Sequence, residues 1–254
     1  MASGEKVVLV TGGNTGLGFE VVKALYTSPL SYQIIIGCRT VAKGKSAIAS
    51  LTHQAPESTS HLSIVQLDIS QDSSIKNAVQ DIESRFGHLD VLVNNAGVLH
   101  DADIAAGKMS IREGFNASWD SDPRLIFITS GTSSLTESGL LDVPNPKLRA
   151  LNASPAKGWP KNDPDAITLY RSVKTGLNMV MREWHRTLRS DGVKVWAVSP
   201  GYLATGIGGA GAEEMKKMGA RDPAEGGQFI KDIVEGGGDE DDGKVIRANM
   251  VQPW

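Results

Sequence analysis

Val8, Leu9, Val10 and Thr11 run directly into Gly12, Gly13, Asn14, Thr15, Gly16, Leu17 and Gly18, and from there into a helical stretch ending near Tyr26. No other feature limits the fold so tightly. Glycines tolerate positive φ and let backbone N–H groups approach a pyrophosphate, which then sits at the positive end of a helix. Taken alone, such a turn fits either a dinucleotide site or a merely tight strand–helix junction. Its place, after the first strand and immediately before a helix, favours the site. The spacing is T-G-x-x-x-G-x-G through Thr11, Gly12, Gly16 and Gly18, not the G-x-G-x-x-G of the long-chain fingerprint.

The rest of the chain alternates in the same sense. Short runs rich in β-branched residues occupy 7–10, 34–36, 63–66, 91–93, 125–128 and 193–198, as expected of strands buried on both faces. Between them lie helical patterns. In 72–86 the residues Ile75, Val79, Ile82 and Phe86 draw one apolar stripe, and in 165–189 Val173, Leu177, Val180 and Trp184 draw another. Strand–helix alternation predicts an α/β fold: one doubly wound parallel sheet of Rossmann type, as a single domain over 1–254. The segment 136–164, which holds five of the eleven prolines, reads as a long loop. A loop of that length in a compact domain is more often functional than idle.

Charge and cysteine content narrow the partners. The formal charge of −3 offers no basic stripe for nucleic acid. Cys38, the one cysteine, excludes an internal disulfide and suits a reducing compartment. A strand begins by Val7 and no apolar run approaches the ~20 residues that span a bilayer, so a cytoplasmic protein with no membrane partner is expected. The five histidines show no paired ligand spacing, so no metal site is expected. The acidic stretch 239–243 reads as a solvated turn.

Six marks in register now carry a resemblance. They are the glycine turn; Asp68–Ile69 after the third strand; Asn94, Asn95, Ala96 and Gly97 after the fourth; Ser130 after the fifth; Tyr170-x-x-x-Lys174; and Pro200–Gly201 followed by Leu203 and Thr205. The chain resembles the short-chain dehydrogenase/reductase family, and within it the carbonyl reductases, particularly fungal members, through Gly158–Trp159–Pro160 and the ending Gln252–Pro253–Trp254. The resemblance implies a cofactor site formed by Gly12, Asn14, Thr15, Gly16, Leu17 and Gly18, with Asp68 and Ile69 at the adenine and Asn94, Asn95, Ala96 and Gly97 on the adenosine side. It places Pro200, Gly201, Leu203 and Thr205 at the nicotinamide, with Thr205 on the carboxamide.

The residues themselves bear on cofactor choice. An acid about 20 residues past the glycines binds the 2′-hydroxyl of NAD; an arginine there suits the 2′-phosphate of NADP. Arg39 stands at that point with no acid beside it, and a guanidinium meets phosphate through parallel N–H contacts, so NADP(H) is expected. Tyr170 and Lys174, four apart on a helix, share a face. A phenol ionises near pH 10, and a nearby ammonium favours the phenolate. The resemblance then implies hydride transfer between nicotinamide and carbonyl carbon, with Tyr170 as proton donor, Ser130 holding the substrate oxygen and Lys174 also binding the nicotinamide ribose. The expected activity is reduction of a ketone or aldehyde, or the reverse oxidation, with the substrate among loops 131–169 and 202–220.

Two departures from the family pattern stand out. Ser130 and Tyr170 lie 40 residues apart, wider than usual, which favours a monomer over a homodimer and leaves Trp159 either capping the substrate mouth or packing under a loop. Between Asn94 and Ser130 the chain is shorter than usual. The helix that supplies the family's relay asparagine is missing its body; Asn116 matches the lead-in better than the relay position, and 103–119 is left as a shorter helix weakened by Gly107 and Gly114. Reduced stability and weak or absent turnover are expected. The rival to an enzyme is therefore an NADP-binding protein without turnover.

Overall fold

The computed structural model describes residues 5–96, 122–158, 167–205, 211–248 and 250–254. Strands β1 (Lys6–Thr11), β2 (Tyr32–Cys38), β3 (His61–Gln66), β4 (Val91–Asn94), β5 (Arg124–Ile128), β6 (Lys194–Ser199), β7 (Val245–Arg247) and β8 (Met250–Val251) form one sheet in the order β3-β2-β1-β4-β5-β6-β7-β8. All neighbours are parallel except β7 and β8, which form an antiparallel edge. The strand order reverses between β1 and β4. In an open α/β sheet, ligands bind in the crevice beyond the strand ends at such a switch point.

Alternation along each strand explains the two cores. Val8, Val10, Ile34, Ile36, Trp196 and Val198 face one way, toward α1 (Gly16–Tyr26), α2 (Val41–Gln54) and the later helix Pro223–Val234. Val7, Leu9, Ile35, Leu92, Leu125, Phe127 and Val195 face the other, toward α3 (Asp72–Phe86) and the long helix Thr168–Leu188. Helix α3 has the predicted bounds and stops at Gly87, whose φ of 80° is the left-handed conformation that ends a helix. On the first face, Pro223–Val234 lies against α1 because Gly227 has no side chain; a Cβ there would stand 2.5 Å from the Glu20 carbonyl oxygen.

The sequence reading needs correcting in several places. Segment 136–164 is not one loop: α4 (Leu135–Ser138) and α5 (Pro146–Asn152) shape its described part. Asn145 caps α5 by accepting from the N–H groups of Lys147 and Leu148 at 3.0 and 3.3 Å, with Pro146 at the first helical position. The long helix, α6, runs over Thr168–Leu188, and its buried positions are Asn178, Met181 and Leu188, flanked by Leu177 and Trp184; Val180 points outward. After α7 (Ala212–Lys217) and α8 (Pro223–Val234), the acidic turn at 239–243 is bound rather than merely solvated. Asp239 pairs with Arg124 and Lys194, and Asp242 accepts from the Val195 N–H at 2.7 Å and lies 3.2 Å from His185. Gly97, Asn116, Trp159 and the expected helix 103–119 lie outside the described residues.

Candidate active site

The glycine turn is built as its spacing predicts. Gly12 and Gly16 have φ of 65° and 56°, and a Cβ on Gly18 would lie 2.4 Å from both Asn95 Nδ2 and the Gly12 carbonyl oxygen. Only glycine fits there. Thr11, which the spacing marked without assigning a role, ties β1 to the end of β4. Its hydroxyl accepts from the N–H groups of Asn95 and Ala96 at 3.1 and 2.9 Å, and Asn95 Nδ2 donates to the Thr11 carbonyl at 2.9 Å. The structure thus brings Gly12, Gly16, Gly18, Asn94, Asn95 and Ala96 to one crevice. Thr205 joins them from beyond β6, its side chain 3.7 Å from where a Gly16 Cβ would be. Asn14, Thr15 and Leu17 belong to the same turn, with Leu17 buried in the core.

Asp68, expected at the adenine, accepts from the backbone N–H and hydroxyl of Ser70 at 3.0 and 2.7 Å. These bonds from Ser70 hold its carboxyl below the usual range. Ile69 and Arg39 are exposed beside it. Among the described residues no three His, Cys, Asp or Glu side chains gather to hold a metal, and no helix is long and apolar enough to cross a membrane.

The catalytic candidates meet at the same end of the sheet. Helix α6 docks on the turn that follows β5 through a polar face one to two turns long. Arg171 Nε donates to the Thr132 carbonyl at 3.1 Å, Lys174 Nζ to the Ile128 carbonyl at 2.7 Å and Thr175 Oγ1 to the Ser133 carbonyl at 3.0 Å. Asn178 follows one turn on, donating from Nδ2 to Ser133 Oγ at 2.9 Å and accepting from Thr129 Oγ1 at 2.6 Å. Arg171 also reaches Asn152 Oδ1 at 2.9 Å, tying α5 to the start of α6. No local pattern in the sequence points to Arg171 or Asn178, because their partners lie 19 to 49 residues away.

Ser130 and Tyr170 are both half-buried. Ser130 Oγ accepts from the Thr132 N–H at 3.2 Å and lies 3.0 Å from Thr132 Oγ1. Lys174 Nζ stands 5.9 Å from the Tyr170 ring centroid. Burial alone pushes the Lys174 ammonium below the ordinary lysine value, and among the described residues no carboxylate pairs with it. A cation left with one carbonyl acceptor keeps donors for another oxygen. Pro200, Gly201 and Leu203 leave β6 beside this group, held by Arg221 Nη2 on the Pro200 carbonyl at 2.9 Å.

Comparison with known proteins agrees with this arrangement. A family model described as short chain dehydrogenase matches residues 6–120. The short-chain dehydrogenase/reductase eupG of Phoma sp is 43% identical over 278 aligned residues, covering 98% of this chain and 97% of the relative. The short-chain dehydrogenase/reductase tropE of Talaromyces stipitatus is 40% identical over 273, covering 99% of each. Among solved structures, NADPH-bound carbonyl reductase from chicken fatty liver superposes with a TM-score of 0.71 at 20% identity over 98% of this chain and 99% of its own, a likeness of fold. With near-complete coverage at such identity, the chain belongs to the short-chain dehydrogenase/reductase family of oxidoreductases.

Proposed function

We propose that the protein is an NADPH-dependent reductase of ketones or aldehydes, or runs the reverse alcohol oxidation. The observation that carries this reading is the docking of α6 on the turn after β5, which sets Lys174 against the Ile128 carbonyl and 5.9 Å from the Tyr170 ring centroid, at the carboxyl end of the parallel sheet where the glycine turn also follows β1. The turn fits a dinucleotide: Gly12 and Gly16 take positive φ, and Gly18, where a Cβ would strike Asn95 Nδ2 and the Gly12 carbonyl, lets the turn close tightly at the start of α1. Gly12, Asn14, Thr15, Gly16, Leu17 and Gly18 would hold the pyrophosphate, Asp68, Ile69, Asn94, Asn95 and Ala96 the adenosine, and Pro200, Gly201, Leu203 and Thr205 the nicotinamide; Gly97 joins this set as an expectation only. Arg39, exposed at the end of β2, meets a 2′-phosphate.

A nicotinamide held there would supply the hydride. The chain does the rest: Ser130 Oγ donates to the substrate oxygen, the Tyr170 hydroxyl passes it a proton, and the Lys174 ammonium favours negative charge on the phenol oxygen. A second reading, cofactor binding without turnover, is supported by length. The eupG alignment runs to 278 positions against a chain of 254, so that relative carries residues with no counterpart here. We place the shortfall between Asn94 and β5, where the family match ends.

Loss of NADPH absorbance with a panel of reactive ketones tests the first reading; NADPH binding with no ketone-dependent loss selects the second. Arg39→Ala should weaken NADPH about tenfold while leaving NADH nearly unchanged, a charge-assisted contact removed from one cofactor only. Equal weakening of both would refute the 2′-phosphate assignment.

A further inference from the structure

We propose that Gln252 is a positioning residue for the catalytic group, a role that rests on the reductase reading above. The β7–β8 edge turns the chain back on itself, and the Gln252 N–H bonds the Val245 carbonyl at 2.8 Å. This brings the side chain beneath the turn after β5. There Gln252 Nε2 lies 3.3 Å from the Ser130 carbonyl oxygen and 3.2 Å from Ser133 Oγ. A carbonyl only accepts, so the amide must present its nitrogen there, which fixes its orientation.

Gln252 closes a network of buried polar side chains. Ser133 Oγ donates to the same Ser130 carbonyl at 2.5 Å and accepts from Asn178, whose amide oxygen takes the Thr129 hydroxyl; that hydroxyl also lies 3.3 Å from the Lys174 carbonyl. Thr129, Ser133, Asn178 and Gln252 are each 2 or 3% exposed. Side chains from β5's end, α6 and the segment after β8 therefore converge on the peptide that carries the Ser130 hydroxyl, and on the helix backbone that carries Lys174. Gln252 holds this place although its Oε1 is buried with no hydrogen-bond partner among the described residues. An apolar side chain of similar size would avoid that desolvation loss, so the donor end of the amide accounts for the residue. Gln252 reaches the Ser130 peptide rather than its hydroxyl, so it acts by fixing where that hydroxyl points.

The test compares Gln252→Met and Gln252→Glu with the wild type at saturating NADPH. Misplacing a catalytic hydroxyl by a fraction of an ångström lowers kcat, so Gln252→Met should lose about tenfold in kcat with KM and NADPH affinity within about twofold. Gln252→Glu should recover as the pH falls, because the buried acid donates when protonated and repels the carbonyl when ionised. A residue that only fills space would give neither the kcat-specific loss nor the new pH dependence; kcat within about twofold of wild type in both variants overturns the proposal. Should the wild type reduce no ketone, the reductase reading fails separately. Amide exchange at Thr132 and Ser133 then decides: at least about tenfold faster exchange in Gln252→Met, with β1 and α1 unchanged, upholds the positioning role, and equal rates refute it.

Discussion

The sheet carries a cation withdrawn from solvent at each end, Arg124 buried and Lys174 half-buried, and the two are treated in opposite ways. At the amino end, the Arg124 guanidinium is 3% exposed and sits between Asp122 at 2.6 Å and Asp239 at 2.5 Å. Lys194 bonds both carboxylates, Lys6 bonds Asp122, and Arg124 also lies over the Trp196 ring. At the carboxyl end, Lys174 has the Ile128 carbonyl and no carboxylate among the described residues. Burial opposes charge at both sites, but at Arg124 the hydrogen bonds it donates to Asp239 and Asp122 outweigh it and raise the pKa, whereas at Lys174 burial stands alone and lowers it. A fully partnered charge makes a clamp. A charge left short of partners is available to a ligand, and the molecule tolerates that where chemistry needs it.

The largest effect should separate chemistry from structure at the carboxyl end. Tyr170→Phe removes the proposed proton donor while leaving the ring, the Lys174–Ile128 contact and the glycine turn in place. Ketone-dependent NADPH oxidation should fall by about 10³-fold. NADPH binding, read by fluorescence, should persist. Undiminished turnover would remove the phenol from the mechanism and with it the contrast between the two ends.

Next in size is a paired substitution that sets the two cations against each other. Arg124→Met leaves Asp122 and Asp239 short of their main partner and should reduce unfolding stability by about 3 kcal/mol in urea titration. Lys174→Met replaces a half-buried, under-partnered ammonium by an apolar chain of similar length. It should leave stability unchanged or higher while abolishing turnover. If both variants lose stability alike, Lys174 is as firmly clamped as Arg124 and the comparison fails.

How far these ends were readable in sequence follows the range of the interactions. The carboxyl end carries its chemistry in local spacing: Gly12, Gly16 and Gly18 within one turn, and Tyr170 and Lys174 within one helical turn. Helix α3 was legible to the residue because its stripe and its terminating Gly87 are local. Helix α5 was missed although Asn145–Pro146 is a cap and first-turn pair, since five prolines in the region read as a loop. The amino-end clamp was invisible. Asp239 belongs to Arg124 across 115 residues, and an acidic run gives no hint of which members are bound. The same holds for Gln252, 122 residues from the serine it supports. In the α6 stripe Leu177 and Trp184 face the core as read, but Val180 is exposed, because the helix turns its polar positions 171, 174, 175 and 178 toward the β5 turn and apolar periodicity cannot register that.

The smallest effect is in the pH dependence of stability, and it too divides the ends. Burial works against ionised Asp122, but the hydrogen bonds from Lys6, Lys194 and Arg124 overcome it and hold the carboxyl well below the ordinary aspartate value; at Asp239 the Arg124 bond leads and the direction is the same. A depressed carboxylate means the unfolded chain binds protons more readily than the folded one. The clamp's contribution is therefore complete above about pH 4 and is lost as the pH falls through the folded values. With both aspartates partly open to solvent, Asp239 more so than Asp122, screening should hold the change to about 1–2 kcal/mol. Lys174 acts at the other extreme: its lowered pKa makes the folded chain the weaker proton binder, so stability should rise as the pH climbs through the folded value toward that of free lysine. Urea midpoints across the pH range should thus show an acid limb that flattens in Asp122→Asn and an alkaline gain that disappears in Lys174→Met. An acid limb unchanged in Asp122→Asn would take Asp122 out of the clamp's pH response, since Asp239 and the carboxylates elsewhere would then account for the limb.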